Sequence, residues 1–126
     1  MTKPEARAQA LGALYAADVL GTDAVDVDHL GGRATTLATS TWLHRGDIDA
    51  AIEAASTRWR IDRMPAIDRT ILRLGVYELI YTDMPVGVVI SEAVELAKQY
   101  STAKSGSFVN GVLSAIATAG GRSTRV

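Results

Sequence analysis

Apolar residues recur at three- and four-residue steps through most of this chain, the spacing of one helical face, and predict helices rather than strands throughout. Between Lys3 and Leu20 such a face runs through Leu11, Leu14, Tyr15 and Val19. Thr2 and Glu5 stand at capping-box spacing, and Pro4 falls in the first turn, where its missing N–H costs nothing. Gly12 and several alanines keep this helix slim enough for close packing. The stretch GTDAVDVDHLGG is acidic and rich in Gly and Asp, and reads as a connection with little or no helix. From Leu30 to Trp59 one stripe passes through Ala34, Leu37, Thr41, Ile48, Ile52 and Ala55. It predicts one long helix, with Gly46 as the point where it would kink and Asp47 as the cap of its second half.

Pro65 opens a further helix whose apolar residues, Ile67, Ile71, Leu72, Leu74, Val76, Leu79 and Ile80, cover more than half its circumference. This is therefore the central helix, contacted from several sides. Thr82 to Pro85 forms the turn that ends it. VGVVISEAVELAKQY then turns Val86, Ile90, Val94 and Ala97 inward and Ser91, Glu92, Glu95 and Lys98 outward, with STAKSGS as the loop after it. In the last segment, SGSFVNGVLSAIA, Asn110-Gly111 is locally a hairpin signal. The flanks do not alternate, however: Phe108, Val109, Val112, Leu113 and Ile116 keep helical spacing. Asn and Gly inside a helix together cost well over ~1 kcal/mol relative to Ala. Something offsets that cost, either a close helix approach at Gly111 or a specific contact of Asn110.

The fold expected is all-α, a single domain over residues 1–126, with N-terminal helices in 1–60, a C-terminal bundle in 61–120 and a frayed tail in 121–126. Its 126 residues suffice for one true core. The absence of cysteine removes disulfides, thiolate metal sites and thiol nucleophiles, and fits a reducing cytoplasm. MTKPEARAQ lacks the apolar core of a signal peptide, and no apolar run approaches the ~20 residues of a membrane span. A net charge of −1 gives no global attraction to nucleic acid, so any such binding depends on a local patch or a partner. His29 and His44 are not at metal-pair spacing, Ser101-Thr-Ala-Lys104 lacks the companion motifs of an S-x-x-K enzyme, and no phosphate-cradling glycine motif occurs. Glu92 and Glu95 share a face with Lys98, the pattern of a solvated surface. No catalysis, cofactor or metal is expected.

"WRIDRMPAIDRTILRLGVYELIY", then "ISEAVELAKQY", then "FVNGVL" occur in the order and spacing of the NusB family of transcription antitermination factors, and ARAQALGALYA is similar to that family's first helix. The resemblance implies a helical fold of about five to seven helices in two small bundles. It also implies a non-catalytic role: binding boxA-type RNA with the small-subunit ribosomal protein NusE, within an antitermination complex of RNA polymerase. Phe108 and Tyr15 match residues that contact RNA in the family, and an unpaired base stacking on an aromatic ring gains ~1 to 3 kcal/mol. Beside them Asn110 would hold the neighbouring loop, while Lys104, Ser105 and Ser107 would meet phosphate or ribose at a helix N-terminus. The alternative for this stretch is that Phe108 is core and Gly111 a packing notch.

For the protein partner the family pattern points to Tyr77, Glu78 and Tyr81. The alternative for Glu78 is a salt bridge inside the fold. Arg69 and Arg73 would touch RNA or, as paired arginines on a central helix do more often, tie down Asp62 or Asp68. Family members commonly begin with an arginine-rich stretch, of which only Lys3 and Arg7 stand here, offset by Glu5. Fewer phosphate contacts mean weak RNA binding by the chain alone. The short acidic connection leaves the N-terminal bundle either packed differently or completed by pairing with a second copy, a homodimer. Two rival readings are a scaffold or dimerisation module that has lost RNA binding, and a regulatory domain of an RNA methyltransferase. The second lacks any nucleotide-cofactor motif after it.

Overall fold

The computed structural model describes residues 2–120; the tail expected to fray from residue 121 lies outside them. Among the described residues there are six α-helices, α1 (Lys3–Leu20), α2 (Gly32–Leu43), α3 (Arg45–Ala55), α4 (Ala66–Tyr81), α5 (Val86–Tyr100) and α6 (Ala103–Ala119), plus a single 3₁₀ turn at Ile61–Arg63. Thr2 caps α1 by accepting the Glu5 N–H at 3.2 Å. At its other end Gly21 takes a left-handed φ of 67°, and its N–H returns to the Ala17 carbonyl. A side chain there would be strained, which is why the helix stops at this glycine. No helix forms between α1 and α2, and the Trp42 indole N–H pins the connection by donating to the Asp23 carbonyl at 2.9 Å.

The single helix expected from Leu30 to Trp59 is instead two. The break falls at His44, whose φ of −96° and ψ of 11° leave the helical region, while Gly46 lies inside α3. Hydrogen bonds continue on both sides, from His44 N–H to the Ser40 carbonyl and from Ile48 N–H to the His44 carbonyl. Between them the ladder is interrupted, and the Arg45 guanidinium donates to the Trp42 carbonyl at 2.8 Å, while Ala34, Thr41, Ile48 and Ile52 all remain buried. Asp47 makes no capping hydrogen bond; it sits in the first turn of α3, where a carboxylate favours the helix dipole.

The STAKSGS stretch is mostly helix rather than loop. Thr102 caps α6 by accepting the Ser105 N–H, so the helix begins at Ala103. The Ser-Gly-Ser run that suggests a loop serves packing: Gly106 faces α5, where a β-carbon would stand 3.6 Å from Val94 and 3.8 Å from Lys98.

α4 touches each of the other five helices. Around it α1 meets α2, α2 meets α3, α3 meets α6 and α6 meets α5. The last seam, between α5 and α1, is bridged by Arg7 approaching Glu92 at 3.9 Å. A single apolar core draws on all six helices, with Leu14, Ile48, Ile71, Leu72, Val89 and Leu113 fully enclosed. Tyr15 and Val19, expected on the inner face of α1, lie exposed outside this core. At the closest approach, a β-carbon on Gly75 would stand 3.0 Å from Leu113, so glycine is what lets α6 lie against α4 there.

Candidate nucleic-acid interface

The corner where α5 passes into α6 is fixed by one buried carboxylate. Asp68, in the first turn of α4, accepts from the Ser101 hydroxyl at 2.7 Å and from the Ser105 hydroxyl at 2.8 Å. Two hydroxyls and a helix N-terminus compensate the burial of that charge. Ser105, expected to meet phosphate or ribose, is buried and its hydroxyl is committed to Asp68. Lys104 and Ser107 stand exposed on either side of it.

Phe108 follows in the second turn of α6. Its ring is half-buried and meets the Trp59 ring edge-on at 5.0 Å between centroids. It is neither sealed in the core nor free on both faces. Asn110 and Gly111 point outward: Asn110 accepts from the Ser114 hydroxyl at 3.0 Å, and a β-carbon on Gly111 would meet nothing within 4 Å. The packing-notch reading of Gly111 fails on that observation. Nothing in the fold accounts for glycine at this position.

On α1 the two predicted basic contacts separate. Lys3 is exposed, its Nζ 4.0 Å from the Met84 sulfur. Arg7 is only 4% exposed and grips Glu78 through two bonds, Nε to Oε1 at 2.7 Å and Nη2 to Oε2 at 2.9 Å. Burial opposes the Arg7 charge, but the hydrogen bonds and attraction of Glu78, helped by Glu92, outweigh it and raise its pKa above the ordinary arginine value. Arg7, expected to meet RNA phosphate, and Glu78, expected to meet a basic partner, are thus paired with one another, and the two charges neutralise each other across the α1–α4 contact.

Tyr77 and Tyr81 share a face of α4 that Glu78 does not. Their rings stack at 5.6 Å, and Tyr81 lies 4.2 Å from the His44 ring, at the α2–α3 break. Tyr81 is exposed and Tyr77 half-buried, so this aromatic face stands apart from the Arg7–Glu78 pair. Arg69 and Arg73 reach neither Asp62 nor Asp68. Arg69 pairs with Asp18 at 2.6 Å, while Arg73 bridges Asp18 at 2.9 Å and Asp49 at 2.8 Å. Burial works against the Asp18 carboxylate, but hydrogen bonds and attraction from both arginines outweigh it and hold its pKa below the usual carboxylate value. Asp18 and Asp49 carried no sequence signal, because their partners lie 51 and 24 residues away.

These pairs orient the helices. Arg7 meets Glu78 near the end of α4 and Asp18 meets Arg69 near its start, so α1 runs antiparallel to α4. Tyr15, 39% exposed, therefore sits toward the start of α4, the same end to which Asp68 ties Ser105 and with it Lys104, Ser107 and Phe108. Lys3 lies about 18 Å away along α1, at ~1.5 Å per residue, beside the far end of α4. One more aromatic belongs to the first end: Tyr100, the last residue of α5, is exposed and was not singled out by the sequence. The arrangement offers rings and a lysine, but no charged pocket, to an extended polyanion.

The model of the NusB family matches residues 4–118 of this chain. A transcription antitermination protein NusB from Anaeromyxobacter dehalogenans is 44% identical, covering 92% of this chain and 90% of that one. Among solved structures, NusB of T. maritima is 30% identical with a TM-score of 0.82, covering 94% of this chain and 92% of that one. A crystal structure of the antitermination factors NusB and NusE in complex with dsRNA contains a chain 34% identical to this one, with a TM-score of 0.78, covering 94% of this chain and 99% of that one.

Proposed function

This chain belongs to the NusB family, and from that premise we propose that it is a non-catalytic, RNA-binding adaptor of transcription antitermination. It binds boxA-type RNA in single-stranded form together with the ribosomal protein NusE, and the pair joins the antitermination complex of RNA polymerase in the cytoplasm. The observation that carries the reading is the gathering of Tyr15, Lys104, Ser107 and the open side of Phe108 at one end of α4. A flexible single strand can lay bases on such rings while its phosphates meet a lysine. A NusB neighbour that crystallised with NusE and dsRNA supports NusE and RNA as partners, and the single-stranded form rests on the exposed rings.

Affinity divides unevenly between chain and partner. With Arg7 committed to Glu78, Lys3 is the basic side chain left near the start of α1, and few phosphates are neutralised by this chain alone. NusE therefore supplies most of the useful affinity. The exposed Tyr81, not Glu78, is the group of the predicted partner face that offers it surface.

Titration of boxA-type RNA with and without NusE, across a salt series, tests this reading. NusE should raise the affinity, and Lys104→Ala should weaken binding and flatten the logarithmic salt slope by about one. An unchanged affinity on adding NusE at low salt overturns the reading and favours a scaffold that has kept the fold without the RNA.

A further inference from the structure

Tyr100 is 49% exposed, more than Tyr15 or Tyr81, and its hydroxyl makes no hydrogen bond among the described residues. A single exposed ring is ordinary on a protein surface. Its setting is less so. The next residue, Ser101, donates its hydroxyl to Asp68 at 2.7 Å, and its N–H closes on the Ala97 carbonyl at 2.8 Å. The backbone that carries the ring is thus held from two directions. A ring displayed on a fixed corner needs no ordering when a ligand arrives. Cations flank it: Lys98 lies two residues before, at a loose 3.8 Å from Glu95, and Lys104 stands exposed in the first turn of α6 with no carboxylate within ion-pair distance among the described residues.

Position completes the case. Arg7 and Glu92 bridge α1 and α5 at 3.9 Å, and each helix runs on eight residues, about 12 Å at ~1.5 Å per residue, to reach Tyr15 on one and Tyr100 on the other. Both tyrosines therefore come level with the start of α4, on the two helices that flank the thin seam. Phe108 has one side taken up by Trp59, so it cannot supply a two-faced platform by itself.

We infer that Tyr100 is a base-stacking residue for unpaired RNA, set between the rings of Tyr15 and Phe108, with Lys104 taking the phosphate beside the stacked base. This rests on the RNA-binding reading above and adds to it a contact on α5. The ligand it fits is a single strand, because a base inside a duplex has no open face to offer.

The test uses the full chain with NusE and a short boxA-type RNA, read by anisotropy. Tyr100→Ala should lower affinity roughly 5- to 150-fold, the range of one lost base stack, and Tyr100→Phe should keep it. An RNA series with one abasic position at a time should contain one member for which Tyr100→Ala makes no further difference. Thermal unfolding of Tyr100→Ala within a degree or two of the parent shows that the corner survives. Equal affinity of parent and Tyr100→Ala overturns the inference alone, as does an equal loss on fully duplex RNA. Absence of RNA binding by the parent chain with NusE present overturns the functional reading and takes this inference with it.

Discussion

Arg7 and Glu78 show how a residue's role turns on a neighbour far along the chain. Glu78 is a charge in an apolar run and Arg7 a basic group near the start of α1, and each by itself looks like a hook for a partner. They lie 71 residues apart, and no local spacing reveals that they meet. Removing one partner would leave the other buried and unpaired, so Arg7→Ala should cost about 3 to 5 kcal/mol, measured by urea unfolding. The double replacement Arg7→Leu with Glu78→Leu should lose far less, because neither charge is then stranded. A purely surface role for Arg7 would leave both variants near the parent.

At the scale of helices, the apolar spacing carried most of the information, and the places where it failed have local causes. The stripe through Ala34, Thr41, Ile48 and Ile52 was legible, yet the break between α2 and α3 was not, because His44 leaves the helix through one φ/ψ pair and the Arg45 side chain takes up the Trp42 carbonyl that the interrupted ladder leaves open. The start of α6 was hidden for the opposite reason: its Ser and Gly residues look like a loop until Asp68 and Val94 are seen to need them. Two glycines of these helices should respond oppositely to the same change. Gly75→Ala drives a methyl against Leu113 and should destabilise by roughly 1 to 3 kcal/mol. Gly111→Ala meets open space and should stabilise by about 0.5 to 1 kcal/mol. Thermal unfolding of the pair checks both signs.

For the molecule as a whole, acid stability should follow the ion network that joins α1, α3 and α4. The carboxyl of Asp18 titrates below its ordinary 3.8 in the folded state, so its contribution is complete above that value and disappears as pH falls through the lower, folded-state one. Asp18→Asn should lower stability at pH 7 and flatten its decline between about pH 5 and pH 2; a variant whose acid limb matches the parent's would remove Asp18 from that role. The architecture around α4 could be anticipated, since a helix apolar on more than half its surface has to lie inside. Which polar groups faced outward could not, because Ser105 and Arg7 found partners only once the helices had packed.

The helix that every other helix leans on occupies the middle of the sequence, and this sets an order of events during synthesis. When α1, α2 and α3 leave the ribosome, the rod against which they bury their apolar stripes has not yet been made. Short helices without a surface to cover are marginal in water. The nascent amino-terminal half must therefore wait, exposed, until Tyr81 has emerged, and it is in that interval that the polypeptide is most vulnerable to aggregation or proteolysis.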